Sequence, residues 1–285
     1  RTNEDYEGGA TVCLNGGVSW STLHNQPTAD LFSLAIDDQV PYRVYAAQND
    51  NTHIAIPSRT SSGAIAFIDN EVIPGGEGGE TAVKPDGSVV YAADRAAINR
   101  YDRRTGQAPV ISVWPDDQFT FAPKDVKNRF YYTSPLLLSP HDSNVLYAAG
   151  NRVFRTTDEG FTWEPISPDI TRNRQDKMQT IPGRPITSMW SSLYWVSVAQ
   201  SLSESPIQKG ELWVGTDDGA VHMTRDGGQK WEDVSRKGLP EWTTIAAIEP
   251  SHHQKGTAYL AAHRFRVRDV TPYLFKTTDY GRTWE

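Results

Sequence analysis

The chain has 285 residues, with 28 Lys and Arg against 35 Asp and Glu, a formal net charge of −7 at pH 7 and a mean hydropathy of −0.55. An acidic chain lacks the basic face that a phosphate backbone demands, so a nucleic-acid partner is not expected. No run approaches the apolar length of a membrane-spanning helix, and the single cysteine, Cys13, excludes an intrachain disulfide or a Cys-based metal cluster.

Taken in chain order, the segments repeat. An opening stretch, "CLNGGVSW" (13–20), is followed by an apolar run ending in a turn, "LFSLAIDD" (31–38), an aromatic-small strand, "RVYAAQND" (43–50), and "AIAFIDN" (64–70). The second unit reads "TAVKPDG" (81–87), "VVYAADRA" (89–96) and "INRYDRRTGQ" (98–107). The third reads "PLLLSPHDSN" (135–144), "VLYAAGNR" (145–152) and "TTDEGFTW" (156–163). The fourth reads "VSVAQSLSES" (196–205), "ELWVGTDD" (211–218) and "TRDGGQKW" (224–231). The fifth reads "TIAAIEPSHH" (244–253), "AYLAAHRF" (258–265) and "TTDYGRTW" (277–284).

The strand aromatics Tyr45, Tyr91, Tyr147, Trp213 and Tyr259 are 46, 56, 66 and 46 residues apart. From Trp20 to Trp284 the period is about 53 residues. Each unit is expected to hold strand A, a tight turn, strand B carrying the aromatic, a loop, strand C, an Asp/Gly turn and strand D around the Trp. Four short antiparallel strands repeated at this spacing predict an all-β fold, a β-propeller of four-stranded blades. The whole of 1–285 is expected to be a single propeller region with about five recognisable blades. Because the chain starts at Arg1 and stops at Trp284-Glu285, it is expected to be a processed chain or part of a larger ring or longer chain.

The turn pattern is similar to the Asp-box of BNR-repeat propellers. Thr156, Asp158, Gly160, Thr162 and Trp163 match it, as do Thr277, Asp279, Gly281, Thr283 and Trp284. Thr224, Asp226, Gly228 and Trp231 match with Lys230 in place of Thr, and Cys13, Asn15, Gly17, Ser19 and Trp20 form a degenerate copy. The chain thus resembles the group that holds sialidases, tandem-propeller xyloglucanases, sortilin luminal domains and photosystem assembly factors. Phrases such as "NRYDRRTGQ" and "PYLFKTTDYGRTW" most resemble large bacterial sortilin-like (YVTN/BNR-like) repeat proteins. The resemblance implies a fold far more than an activity. It implies structural roles for the box residues Asn15, Asp158, Asp226, Asp279, Trp20, Trp163, Trp231 and Trp284. Physics agrees: the Asp accepts turn amides, the Gly supplies positive φ, and the Trp buries a large flat surface between blades.

The sequence offers little catalytic patterning. The resemblance to sialidases would imply three arginines around a carboxylate, yet no arginine is marked by its context. Hydrolysis of a glycoside needs two facing carboxylates, whereas Asp37-Asp38, Asp116-Asp117 and Asp217-Asp218 sit in turn-like contexts. His252 and His253 are adjacent and would point opposite ways on a strand. No metal ligand set and no cofactor are expected. "PGGEGGE" (74–80) leads into a strand and not a helix, which argues against a phosphate cradle.

With the boxes on one face, the D–A and B–C loops occupy the other. Gln26, Glu77, Glu80, Arg129, Tyr131, Tyr132, Trp190, Tyr194, Trp195, Trp242, Asp94 and Asp217 are the candidate binding residues there. Aromatics beside fixed polar groups suit a binding surface, although inter-blade packing explains any single aromatic equally well. The expected function is a non-catalytic propeller, secreted or periplasmic, that binds a protein or peptide partner or serves as an assembly subunit. The alternative is a carbohydrate-active propeller, either a sugar binder or a glycoside hydrolase, which two carboxylates about 5–10 Å apart in an open cleft would favour.

Overall fold

A computed structural model describes residues 2–5, 9–21, 29–49, 51–94, 97–114, 123–176, 178 and 197–285. The strands form five blades of three or four antiparallel strands, paired in chain order within each blade, together with one two-stranded sheet. The two-stranded sheet joins β1 (Thr2–Asp5) to β2 (Gly9–Val12). Blade one holds β3 (Leu31–Ile36), β4 (Arg43–Gln48), β5 (His53–Pro57) and β6 (Glu71–Ile73). Blade two holds β7 (Thr81–Val83), β8 (Val89–Asp94) and β9 (Ala97–Asp102), and bridges at Asn99–Val110 and Asp102–Gln107 stand in for its fourth strand. Blade three holds β10 (Leu136–Leu138), β11 (Leu146–Ala149), β12 (Val153–Thr156) and β13 (Glu164–Pro165). Blade four holds β14 (Ala199–Glu204), β15 (Leu212–Thr216), β16 (Val221–Thr224) and β17 (Glu232–Asp233). Blade five holds β18 (Thr244–Pro250), β19 (Ala258–Arg264) and β20 (Asp269–Thr277), with Lys276 and Glu285 exchanging backbone bonds as the start of a fourth strand.

The strand order anticipated from the repeat is observed. One local reading needs correction. The tryptophans close the turn and precede strand D instead of lying within it, since Trp163 comes before β13 and Trp231 before β17. In blade one, 64–70 lies between β5 and β6, where the other blades have their Asp/Gly turn, and Phe67–Asp69 form a 3-10 turn leading into β6. Its cap is made by Asp69, whose carboxylate accepts the Ala66 amide, so a short polar residue replaces hairpin pairing there.

Successive blades share apolar layers. Tyr45, Ala55 and Ile73 of blade one meet Val83, Val90 and Ala92 of blade two. Tyr91 and Ile98 of blade two meet Phe130, Leu136, Leu146 and Phe154 at blade three. Tyr147 and Val153 of blade three meet Ala199, Leu212 and Val214 of blade four, and Trp213 of blade four meets Ile245, Leu260 and Ala262 of blade five. The small residues after the strand-B aromatic follow from this geometry. A Cβ at Gly215 would stand 2.3 Å from Ile245 Cγ2 in the next blade, so bulk is barred where blades crowd together.

The Asp/Gly turns tie neighbours together. Asp158 accepts from Thr156 Oγ1 at 2.7 Å, the Thr162 amide at 2.9 Å and Thr162 Oγ1 at 2.7 Å, while the Gly160 amide donates to Thr156 Oγ1 at 2.9 Å. These bonds, the Thr162 hydroxyl foremost, hold the Asp158 carboxyl down at about 2. Asp279 repeats the set with Thr277 and Thr283. Asp226 keeps Thr224 and the Lys230 amide but has no hydroxyl at residue 230. Trp163, Trp231 and Trp284 then donate their indole N–H to Ile111, Ile166 and Val234 carbonyls at 3.2, 2.8 and 2.8 Å, each on the preceding blade.

Trp213 is fully buried and packs edge-on to Trp284 at 6.2 Å. Trp213→Ala is expected to cost about 3–5 kcal/mol by opening a cavity between blades four and five, read as a lower urea midpoint at an unchanged slope.

Candidate functional site

The upper face carries the D–A and B–C loops, and hydrogen bonds join the two sets. The Arg129 amide donates to Asn151 Oδ1 at 2.8 Å, and the Arg172 amide donates to Asp218 Oδ2 at 3.0 Å. Arg264 Nε donates to the Glu241 carbonyl at 3.2 Å.

Several sequence-marked residues prove to be packing elements of this face. Arg129 is buried and its guanidinium donates to the Ser197 carbonyl, Asp169 and Thr171. Tyr131 is buried, so it offers no surface to a ligand; its loop is pinned by Ser134 Oγ donating to the Tyr131 carbonyl. Asp217 is buried and accepts the Val198 amide at 2.9 Å. Tyr132 is partly buried, edge-on to Phe32 at 5.5 Å, and packs against the 74–80 loop, where a Cβ at Gly78 would meet its ring at 2.4 Å. Asp94 lies against Gly76, and a Cβ at Gly79 would strike the Ala93 carbonyl at 2.1 Å. The glycines of 74–80 therefore serve close packing. Glu77 is partly buried in the same loop. Gln26, Trp190, Tyr194 and Trp195 lie outside the described residues.

Glu80 has a distinct environment. One carboxylate oxygen accepts the Leu136 amide of blade three at 2.9 Å. Loss of water around it pushes its carboxyl up to about 7, against the opposing pull of that bond. His53, buried in blade one, is shifted the other way: burial lowers it to about 4, so it is neutral near pH 7. With Nε2 carrying its proton toward the Ala93 carbonyl at 3.2 Å, Nδ1 accepts from Thr81 Oγ1 at 2.7 Å.

The upper face also holds an open cleft of about 590 Å³ beside blade four, with Trp242 on its wall. Its cations are Arg172, Arg174, Arg236 and Lys237, and its acids are Asp218, Asp233 and Glu241. All three acids are engaged. Asp218 accepts the Arg172 amide, Ser197 Oγ at 2.9 Å and Thr216 Oγ1 at 2.6 Å. Asp233 accepts the Ser235 amide and hydroxyl at 2.9 and 2.5 Å. Burial alone would raise it, but those bonds prevail and hold it below the usual carboxylate range. Glu241 accepts from Arg174 Nη1 at 3.0 Å. Arg236 stacks on Phe275, 4.2 Å from the ring centroid, and Lys237 is exposed. Of the sequence-marked residues, Trp242 is in this cleft. Among the described residues no group of three His, Cys, Asp or Glu side chains could hold a metal ion, and no described helix is long and apolar enough to cross a membrane.

Fold and site together define an all-β propeller with a polar, cation-rich cleft on its loop face. No family model matches the chain. A curated relative, an oligoxyloglucan-reducing-end-specific xyloglucanase from Emericella nidulans, is 25% identical over 157 residues, 54% of this chain and 17% of that enzyme. A GH74 xyloglucanase from Xanthomonas campestris matches at a TM-score of 0.55 and 16% identity, over 90% of this chain and 37% of that one. A GH74 enzyme from Niastella koreensis matches at 0.53 and 14%, over 92% and 32%. The extracellular domain of a putative one-component system from B. thetaiotaomicron matches at 0.54 and 11%, over 98% and 30%. These structural likenesses show the propeller fold, and the chain spans no more than 37% of the length of any of these proteins.

Glu80 and His53 tilt the stability of the fold in opposite directions. The folded-state value of Glu80 exceeds its ordinary 4.5, so the unfolded chain releases this proton first and stability falls as pH rises from about 4.5 to about 7. His53 is lowered from 6.5, so stability rises with pH between about 4 and 6.5. Glu80→Gln keeps an acceptor for the Leu136 amide and removes only the Glu80 slope. It is expected to raise the thermal midpoint more at about pH 8 than at about pH 5, and equal shifts at both would refute this account.

Proposed function

We propose that this chain is a non-catalytic binding propeller of the BNR/Asp-box type, sortilin-like in character and extracytoplasmic, which takes a protein or peptide segment in the cleft beside blade four. The observation that carries this reading is the state of the cleft's acids. Asp218, Asp233 and Glu241 are all occupied by donors, and the Asp233 carboxyl is lowered, whereas a proton donor in hydrolysis needs a raised one. Four cations against three acids, in a chain of net charge −7, favour an anionic segment, with Trp242 supplying an apolar wall. The turns at 156–163, 224–231 and 277–284 support the Asp-box assignment, and the likeness to an extracellular domain supports the location.

A second reading, a carbohydrate-active propeller, is favoured by Glu80 and by the GH74 likenesses. An upper-face carboxyl raised to about 7 is suited to proton donation at neutral pH. The two readings separate in one pair of experiments. Calorimetric titration with a hexaglutamate peptide is expected to show salt-sensitive binding that weakens about tenfold in R236A/K237A. Incubation with xyloglucan oligosaccharides is expected to leave them intact. Shortened oligosaccharides, with the activity lost in E80Q, together with no peptide binding, would replace the first reading by the second.

A further inference from the structure

The cations of the cleft beside blade four fall into two sets. Arg174 is fully engaged with acids: its Nε and Nη2 donate to Asp176 at 3.0 and 3.1 Å, and its Nη1 donates to Glu241 at 3.0 Å. Arg172, Arg236 and Lys237 pair with no carboxylate among the described residues. The Arg172 guanidinium donates to the Asp218 and Gly219 carbonyls at 3.0 and 3.2 Å. Arg236 donates to the Lys237 carbonyl at 3.2 Å and lies on Phe275, while its Nε has no acceptor. The Lys237 side chain is exposed.

Acids that could have neutralised these three cations line the same cleft and are satisfied in another way. Asp218 takes two hydroxyls and the Arg172 amide, and Asp233 takes the hydroxyl and amide of Ser235. A carboxylate fed by neutral donors is satisfied without a cation. A guanidinium tied to carbonyls is likewise held in place with its charge undischarged. Three positive charges therefore share one opening of about 590 Å³ without a counter-ion of their own, and an anion entering it relieves their mutual repulsion. The backbone also takes a costly form on this wall: Trp242 has a φ of 62°, a left-handed conformation that a side chain disfavours.

We propose, resting on the binding role given above, that the anion this cleft takes is a phosphomonoester carried on a side chain of the bound protein segment. Near pH 7 such a group has close to two negative charges and three terminal oxygens. That is enough to meet Arg172 from one D–A loop together with Arg236 and Lys237 from the next. Arginine forks match phosphate oxygens in pairs, and lysine adds a point charge. A single carboxylate, with one charge and two oxygens, would leave one of the three cations unmatched. Trp242 then packs beside the residues that flank the phosphorylated one.

Three heptapeptides, identical except for a central phosphoserine, glutamate or serine, test this by calorimetric titration into the chain of residues 1–285 at about pH 7.5. The phosphoserine peptide is expected to bind about tenfold more tightly than the glutamate peptide. That advantage is expected to shrink at about pH 5.5, where the phosphate falls toward one charge while the glutamate carboxylate stays largely ionised. Lys237→Ala, at an exposed side chain outside blade packing, is expected to weaken the phosphoserine peptide severalfold and leave the serine peptide unchanged. Arg172→Lys, which keeps the charge but not the planar fork, is expected to do the same. Equal binding of the phosphoserine and glutamate peptides, or an advantage that persists undiminished at the lower pH, would overturn the phosphate assignment and leave the anionic-segment reading standing. Silence of both peptides and of hexaglutamate would overturn the two together. Tighter binding to vesicles containing phosphatidic acid than to the phosphoserine peptide would move the site to a membrane surface and also overturn the proposal.

Discussion

The interaction on which the architecture rests is the reach of one turn into the blade before it. Two successive residues with positive φ, Glu159 and Gly160 in blade three, Gly227 and Gly228 in blade four, Tyr280 and Gly281 in blade five, turn the chain so that its Gly lies flush against an Ile or Val next door. The following Trp then finds a carbonyl on that same neighbouring residue. A left-handed conformation is costly for a residue with a Cβ, which is why Glu159 and Tyr280 need compensation. Glu159 has it in ion pairs with Lys84 and Arg100 of blade two, which hold its carboxyl low although burial would raise it. Tyr280 has it in the guanidinium of Arg225, 5.1 Å from its ring, and in packing on Gly256. Each turn is thus a contact between blades before it is a connection within one.

This explains why the fold was legible in the sequence and the site was not. The clasp needs a hydroxyl, an acid, a glycine and a tryptophan at fixed offsets, and strand B needs an aromatic followed by residues small enough to clear the next blade. The strand-B demand recurs in all five units and the clasp in blades three to five, so together they leave a periodic trace that loop length does not erase. The cleft has no such trace. Arg172 and Arg174 come from one D–A loop, Asp218 from a B–C turn, and Arg236 to Trp242 from another D–A loop. Nothing in any one of these segments reports the other two, since their meeting depends on blade-to-blade stacking. Trp242 was visible as an aromatic in a loop, but the cations around it were not. Arg129, Tyr131 and Asp217, whose polar or aromatic character suggests a surface, are buried in the structure. Each is buried because a D–A loop running over a B–C turn creates backbone groups that must be satisfied, and these side chains help to satisfy or cover them.

Acids in this chain are consequently better read by what donates to them than by how many there are. Asp158 and Asp279 serve turns, Asp37 accepts the Tyr45 hydroxyl and the Arg43 amide inside blade one, and Asp218 accepts from three donors at the cleft. At Asp158 and Asp279 the hydrogen bonds to the charged form hold the carboxyl below the usual carboxylate range. These turn acids are therefore driven away from the proton-donating state that hydrolysis would require. Glu80 differs because a single amide faces one of its oxygens and burial dominates.

The placement of that one acid bears on how a propeller of this kind divides its labour. The clasps lie at the C–D turns, where neighbouring blades are fixed to one another, and their carboxylates are spent on that task. The opposite face is left with loops of unequal length, whose backbone is held by internal networks such as Arg129 with Asp169 and Arg172 with Asp218. Rigid blades below and separately anchored loops above allow one loop to change without disturbing blade packing, which is how loops on rigid scaffolds come to carry function. Glu80 breaks the separation. It sits in the loop between blades one and two yet accepts its bond from strand A of blade three, so its ionisation bears on blade packing and on the chemistry of the upper face together. A ligand that reached Glu80 would have to deal with both, whereas the cleft beside blade four presents cations and an indole on its loop face, with Arg236 stacked on Phe275 of blade five.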